Sequence, residues 1–372
     1  MSKKVRIGLI GTGMMGLEHI RNIKLIPEFE IAAYADPTAQ SRDWAKGMIG
    51  ESPVSIAEYT DPRDLLKDRS LDAVLIASPN HTHADILDHA LPTGLHILCE
   101  KPVCSQVDDA ERIAAAAAQR ESVFWVGMEY RFMPPATRFV GDVHGGRVGR
   151  LVMMSIREHR FPFLNKVGDW NRFSRNTGGT MVEKCCHFFD LMRLTVQSEA
   201  VRVYCSGAMD VNHLDESYGG ERPDIIDNSY TIVDFANGVR AMLDLSMFAE
   251  GSASQEECVA VGDKAKLEVM IPPGELIFSP RIPLGAPKQV TRETISVDPT
   301  ILAAGSHFGA TYYQWAAFRD AVLGNGPVQV TAEDGWRAVA IGAAAEISAK
   351  EKRVVDMTEL SGKSRLTGSR AL

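Results

Sequence analysis

The chain has 372 residues, with 40 Lys and Arg against 48 Asp and Glu, a formal charge of −8 and 45% hydrophobic residues. That length predicts two or three domains with substantial cores, and the composition excludes disorder for the bulk of the chain. The acidic balance excludes nucleic acid as the main partner, and no apolar run is long enough for a membrane span. Lys3 and Lys4 lead directly into a strand-like segment and glycines, a start unlike a signal peptide. The six cysteines, Cys99, Cys104, Cys185, Cys186, Cys205 and Cys258, show neither C-x-x-C pairs nor zinc-finger spacing. They read as reduced thiols of a cytoplasmic protein.

The first third alternates short apolar strands, at 5–10, 31–35, 71–77, 95–99 and 123–127, with helical patterns at 14–26, 83–91 and 108–119. This alternation predicts an α/β unit, a doubly wound parallel sheet with helices on both faces. Beyond Pro134 the texture changes. Strand-like runs at 151–158, 201–207, 229–235, 240–248, 258–261, 266–270 and 290–297 are separated by short turns such as Ala236-Asn237-Gly238. They predict an α+β unit with a large, mainly antiparallel open sheet. Helices are expected at 179–196, 311–323 and 333–350, and loops at 211–226 and in the proline-rich 272–287. The predicted division is 1–132, 133–357 and a short polar tail, 358–372, with 361–372 expected to be disordered.

Gly11-Thr12-Gly13-Met14-Met15-Gly16 follows the first strand and opens a helix, and Asp36 ends the second strand 20 residues after Gly16. The combination marks a Rossmann dinucleotide site: Gly11 makes the tight turn, Gly13 admits the pyrophosphate, and Gly16 lets helix and strand pack. The amides of Met14 and Met15 face the phosphates, and Asp36 the ribose hydroxyls. The Asp36 carboxylate repels a 2′-phosphate, so NAD is expected in preference to NADP, with Arg42 as the residue to watch.

The third and fourth strands end in Ala77-Ser78-Pro79-Asn80-His81-Thr82-His83 and Cys99-Glu100-Lys101-Pro102. Ligands of open α/β sheets bind beyond the carboxyl ends of the strands. Ser78, Asn80, His83, Glu100 and Lys101, with Glu129 after the fifth strand, are therefore candidate cofactor contacts. Farther on, Glu183, His187 and Asp190 follow Gly178-Gly179 at i, i+4 and i+7, one face of a predicted helix. This stripe suits a buried hydrogen-bonded network, a metal site with a cysteine, or acid–base chemistry centred on His187.

Together, the Rossmann fingerprint, Ser78-Pro79-Asn80-x-x-His83, Glu100-Lys101-Pro102 and Gly178-Gly179-x-x-x-Glu183-x-x-x-His187-x-x-Asp190 resemble the Gfo/Idh/MocA oxidoreductases. Tyr130-Arg131-Phe132, Glu333-Asp334-Gly335 and Ala344-Ala345-Glu346 extend the resemblance over residues 4 to 357. It implies an NAD-dependent dehydrogenase of a cyclitol, sugar or sugar derivative, with no metal. Lys101 and His187 would handle the alcohol oxygen and its proton, and Glu183 would orient His187. It also implies a sheet that assembles dimers or tetramers. The chain departs from the family pattern at Glu183, where aspartate is usual, at Lys184, where an apolar residue is common, and at Cys185, where a small residue is usual. Tyr130, Arg157, His159, Trp170, Asn171 and His307 are candidate substrate contacts, with Arg160 and Tyr312 behind them. His81 and His89 are read as structural or surface residues. Rival functions are a redox glycosidase that retains its NAD, and a non-catalytic NAD and sugar sensor.

Overall fold

The structure is a computed structural model and describes residues 4–51 and 54–360. Six strands, β1 (Val5–Ile10), β2 (Phe29–Ala35), β3 (Ala57–Tyr59), β4 (Ala73–Ile76), β5 (His96–Glu100) and β6 (Phe124–Gly127), form a parallel sheet. Its order is β3-β2-β1-β4-β5-β6. Helices cover both faces, so the central strands are apolar throughout, with Ile7, Leu9, Leu75, Ile76 and Leu98 fully buried. The order reverses between β1 and β4, opening a crevice at their carboxyl ends.

Two parts of this unit are invisible to periodicity. Edge strand β3 has three residues, and helix Ala39–Ile49 buries only Ser41, Ala45 and Ile49. The first helix, Met14–Ile23, ends before Pro27 because the Lys24, Leu25 and Ile26 amides bond back to Ile20, Asn22 and Ile23.

The second sheet has nine strands: β7 (Leu151–His159), β8 (Ala200–Ala208), β9 (Asn228–Phe235), β10 (Arg240–Ser246), β11 (Glu256–Gly262), β12 (Ala265–Ile271), β13 (Glu275–Pro280), β14 (Thr291–Thr294) and β15 (Val355–Asp356). Their order is β14-β13-β12-β11-β7-β10-β9-β8-β15, and β7 with β10 is the parallel pair among antiparallel ones. β13 corrects the loop expected at 272–287. Leu276 and Ile277 are buried there and pair with β12, after a turn at Gly274 whose φ is 70°.

Helices Pro134–His144 (not anticipated), Cys186–Val196 and Ala332–Glu351 cover one face of this sheet. The last helix joins two cores, with Ala338 and Val339 in the first and Ile341, Ala344 and Ala345 in the second. Helix Ala310–Val322 returns to the first unit, burying Trp315 and Phe318 in its core. Of the expected tail, Thr358 and Glu359 belong to a 3-10 turn, Met357–Glu359, and 361–372 lies outside the described residues. No helix among the described residues is long and apolar enough to cross a membrane.

Candidate active site

A cleft of about 1070 Å³ runs along the carboxyl ends of β1, β2, β4 and β5. Gly11, Gly13, Met14 and Met15 line its middle, Asp36, Trp44 and Met48 one end, and Lys101, Lys166, Trp170 and Glu183 the other. The glycines differ in what they leave room for. A Cβ on Gly11 would lie 2.6 Å from the Ala77 carbonyl, and one on Gly16 would lie 2.3 Å from the Gly11 oxygen. Gly13 has no protein atom within 4 Å of the equivalent position. Gly11 and Gly16 therefore serve packing, while Gly13 keeps open space for a ligand. That space, bordered by the start of helix Met14–Ile23, fits the pyrophosphate of a dinucleotide.

Asp36 is fastened by Thr12 and Thr38, whose amides donate to its carboxylate at 2.9 and 2.8 Å. Arg42 is not part of the cleft lining; it donates to the carbonyls of Asp36 and Pro37 and to Glu58. Ser78 and Asn80 line the cleft, and the Asn80 Nδ2 is buried without a partner. His83 is fully buried, its nitrogens 2.9 and 3.0 Å from the carbonyls of Pro102 and Ser78. It braces the two strand ends to each other and does not line the cleft.

Glu100 accepts from the Lys101 amide at 3.1 Å and lies 2.9 Å from the His19 Nε2. Lys101 thus makes no ion pair with its neighbour. Its ammonium instead donates to the Glu183 carbonyl oxygen at 3.1 Å, bringing the two distant motifs together.

The expected continuous helix over 179–196 is broken into Thr180–Glu183 and Cys186–Val196, with a turn at Lys184 and Cys185. The single polar face is lost with it. Asp190 turns to Arg131, which grips both carboxylate oxygens at 2.5 Å. Lys184 turns inward, donating to the Tyr130 hydroxyl at 2.5 Å and pairing with buried Glu158 at 2.9 Å. Tyr130 in turn donates to Glu256 at 3.2 Å and stacks on His187.

No hydrogen bond joins Glu183 to His187 among the described residues. The Glu183 Oε2 and the His187 Nδ1 are both buried and unpartnered. Burial raises the Glu183 pKa, and Lys166 and Lys101 oppose the rise. Burial also drives the His187 pKa well below its ordinary value, helped by the charges of Lys101 and Lys184.

The remaining candidates separate. Trp170 lines the cleft, with His81 against its ring at 5.9 Å. Asn171 is fully buried and donates to the Leu164 carbonyl, bracing the loop that carries Trp170. Arg157 and His159 are corrected. Strand alternation sends Met154, Ile156 and Glu158 to the helix-covered face, so Arg157 and His159 project from the opposite, open face. There they pair with Glu257 and Asp244.

Glu129 and His307 are also away from the cleft lining, and Tyr130 and His187 are buried behind it. The His307 Nδ1 lies 3.0 Å from Glu129 and 3.9 Å from Glu18, beside Tyr130. Tyr312 packs on the first core. The sequence reading missed Lys166 and Asn165, which line the cleft from an irregular loop with no periodic signal, and the buried charges Glu158 and Glu256.

Profiles of the oxidoreductase family match the chain twice: the NAD-binding Rossmann fold over residues 5–128 and the C-terminal alpha/beta domain over 141–357. The chain belongs to the Gfo/Idh/MocA oxidoreductase family and is an NAD-binding oxidoreductase. It is 24% identical over 371 residues to the myo-inositol 2-dehydrogenase of Thermotoga maritima, covering 96% of this chain and all of that one. With the uncharacterized oxidoreductase YrbE of Bacillus subtilis it shares 32% over 249 residues, 66% of this chain and 68% of that protein. Among solved structures, levoglucosan dehydrogenase in complex with NADH and levoglucosan shares the fold. The TM-score is 0.82 at 20% identity, over 95% of this chain and all of the other.

Proposed function

We propose that the protein is a dehydrogenase that moves hydride between NAD and a secondary hydroxyl of a cyclitol, sugar or sugar derivative. One observation carries this reading: Lys101 and Glu183 meet at the end of a cleft whose middle is the Gly13 opening and whose far end is Asp36. Relatives named for inositol and levoglucosan point to the same substrate class. Bound NAD supplies the hydride acceptor at C4 of its nicotinamide.

The protein's part is positioning and proton handling. Lys101 donates a hydrogen bond to the substrate oxygen and stabilises the negative charge that grows on it. His187, kept neutral by burial and by the neighbouring lysines, accepts the hydroxyl proton. Tyr130 fixes the plane of that imidazole, and its own hydroxyl is fastened by Lys184 and Glu256. Glu183 supplies charge beside Lys101; it does not hold His187.

On this reading the six cysteines, all unpaired and buried, suit the reducing cytoplasm. The open sheet face, with Met153, Tyr204, Tyr230, Ile232 and Met242 exposed, suits a homodimer or homotetramer. The test is NADH formation from NAD⁺ with a panel of inositols, aldoses, anhydrosugars, glycosides and uronic acids. NADH binding without turnover on any polyol would overturn the proposal.

A further inference from the structure

The cleft has a second cation at its reacting end, and the loop that presents it is built. Lys166 lines the cleft near Glu183 and Lys101, and its ammonium has no hydrogen bond or ion pair among the described residues. Its loop is tied at several points. The Asp169 amide bonds to the Lys166 carbonyl at 2.9 Å, Asn171 to the Leu164 carbonyl at 3.1 Å, and Arg172 to the Asn165 side chain at 2.6 Å. Asn176 holds the Trp170 carbonyl at 2.9 Å. Gly168 and Asp169, both with positive φ, make the bend that brings Trp170 beside Lys166. The Lys166 ammonium sits 5.9 Å from the Trp170 ring centroid.

The charge count at this end is unbalanced. Lys101 and Lys166 face the single carboxylate of Glu183, since Glu100 is taken up by His19 and by the Lys101 amide. Arg172 is already paired with Glu216. Among the cleft's other acids, Asp36 and Asp43 belong to the opposite end, and Asp85 lies toward Arg63. Burial depresses the Lys166 pKa, with the Lys101 charge adding to the shift and the Glu183 carboxylate opposing it. An anion arriving with the substrate would supply a further counter-ion.

We propose that this end of the cleft takes a sugar acid: its ring lies on Trp170, Lys166 receives its carboxylate, and Lys101 holds the hydroxyl that is oxidised. The proposal rests on the hydride-transfer reading above. In the step, the substrate carbon loses hydride to NAD⁺ and its hydroxyl proton to His187, giving a keto acid, NADH and one proton. Lys166 selects the substrate and takes no part in the transfer.

The test compares kcat/KM for glucuronate and galacturonate with that for glucose and galactose, in wild type, Lys166→Met and Lys166→Arg, with NADH affinity measured by fluorescence. A hydrogen bond between charged groups predicts that wild type favours the acids by about 10- to 100-fold. Lys166→Met should abolish that preference, Lys166→Arg should restore most of it, and NADH affinity should change little in both. Turnover that favours neutral sugars in wild type would overturn this inference while leaving the dehydrogenase reading standing. A Lys166→Met variant that weakens NADH binding and both substrate classes alike would assign the lysine to the cofactor and also overturn it. Higher kcat/KM for glucose 6-phosphate than for glucuronate would refute a carboxylate site. Oxidation of none of these compounds by a protein that binds NADH would count against the dehydrogenase reading itself.

Discussion

The Tyr130 ring lies flat against the His187 imidazole, with centroids 4.1 Å apart and planes 9° from parallel. The same tyrosine touches His307 on another side and carries the Lys184 ammonium on its hydroxyl. It is thus the common support of the residue assigned to proton transfer and of two buried charge clusters.

Replacing Lys101 by Met or His187 by Ala should each lower kcat by about 10²- to 10⁴-fold, the usual worth of a general base or of a charge on a developing alkoxide. Stopped-flow or steady-state NADH absorbance measures the loss. Wild-type turnover in either variant would remove that residue from the chemistry.

The two glycines of the turn should separate folding from binding. Gly16→Ala places a methyl 2.3 Å from the Gly11 oxygen and should destabilise the protein by several kcal/mol or prevent folding. Gly13→Ala meets no protein atom within 4 Å and should leave Tm nearly unchanged while weakening NADH binding tenfold or more. Calorimetry with fluorescence titration reads both effects, and intact NADH affinity in Gly13→Ala would show that the dinucleotide does not pass there.

NADPH should bind at least about tenfold more weakly than NADH, because Asp36 faces the ribose position and Arg42 is committed to carbonyls and to Glu58. Asp36→Ser should narrow that ratio by relieving the repulsion. Equal affinity of the wild type for both cofactors would contradict the assignment.

His307 and His187 should leave opposite marks on stability. Burial alone would lower the His307 pKa, but the neighbouring charge of Glu129, with help from Glu18, holds it up at about 10. Its stabilising contribution is therefore complete below the ordinary histidine pKa of about 6.5 and is lost as pH rises through about 10. His187 has a depressed pKa, so the unfolded chain takes up a proton that the folded protein refuses, and stability falls as pH drops below about 6.5. His307→Gln, which leaves Glu129 without its counter-ion, should cost about 3 kcal/mol at pH 7. The gap from wild type should shrink toward pH 10. A gap independent of pH in denaturant titrations would show that His307 is not charged in the fold.

Ile232→Glu places a charge amid the exposed apolar residues Tyr204, Tyr230 and Met242. If that face joins copies of the chain, the variant should run at a lower mass in light scattering, with Tm dependent on concentration. An unchanged mass for the variant would place the contact elsewhere.

The first sheet and its nucleotide turn were legible in the chain because their signals are local. Short continuous apolar runs, a glycine spacing and an acid 20 residues on depend on nothing distant. Helix Ala39–Ile49 and strand β13 escaped because the first buries only three positions and the second hides between prolines and a glycine. The site was half legible. Lys101 and Glu183 are brought together by a bond between residues 82 apart in the chain, and only the family resemblance had linked their two motifs.

What the sequence determined by itself was the class of fold, the cofactor turn and the roster of reactive side chains, because propensity, patterning and motif spacing are carried by neighbouring residues. Tertiary structure decided which way those side chains face. Strand parity turned Arg157 and His159 out and Glu158 in, and the helix break at Lys184 sent Asp190 to Arg131. A loop without periodicity delivered Lys166 to the cleft. Orientation depends on register, burial and the partners available for each charge, and those exist only once distant segments have packed.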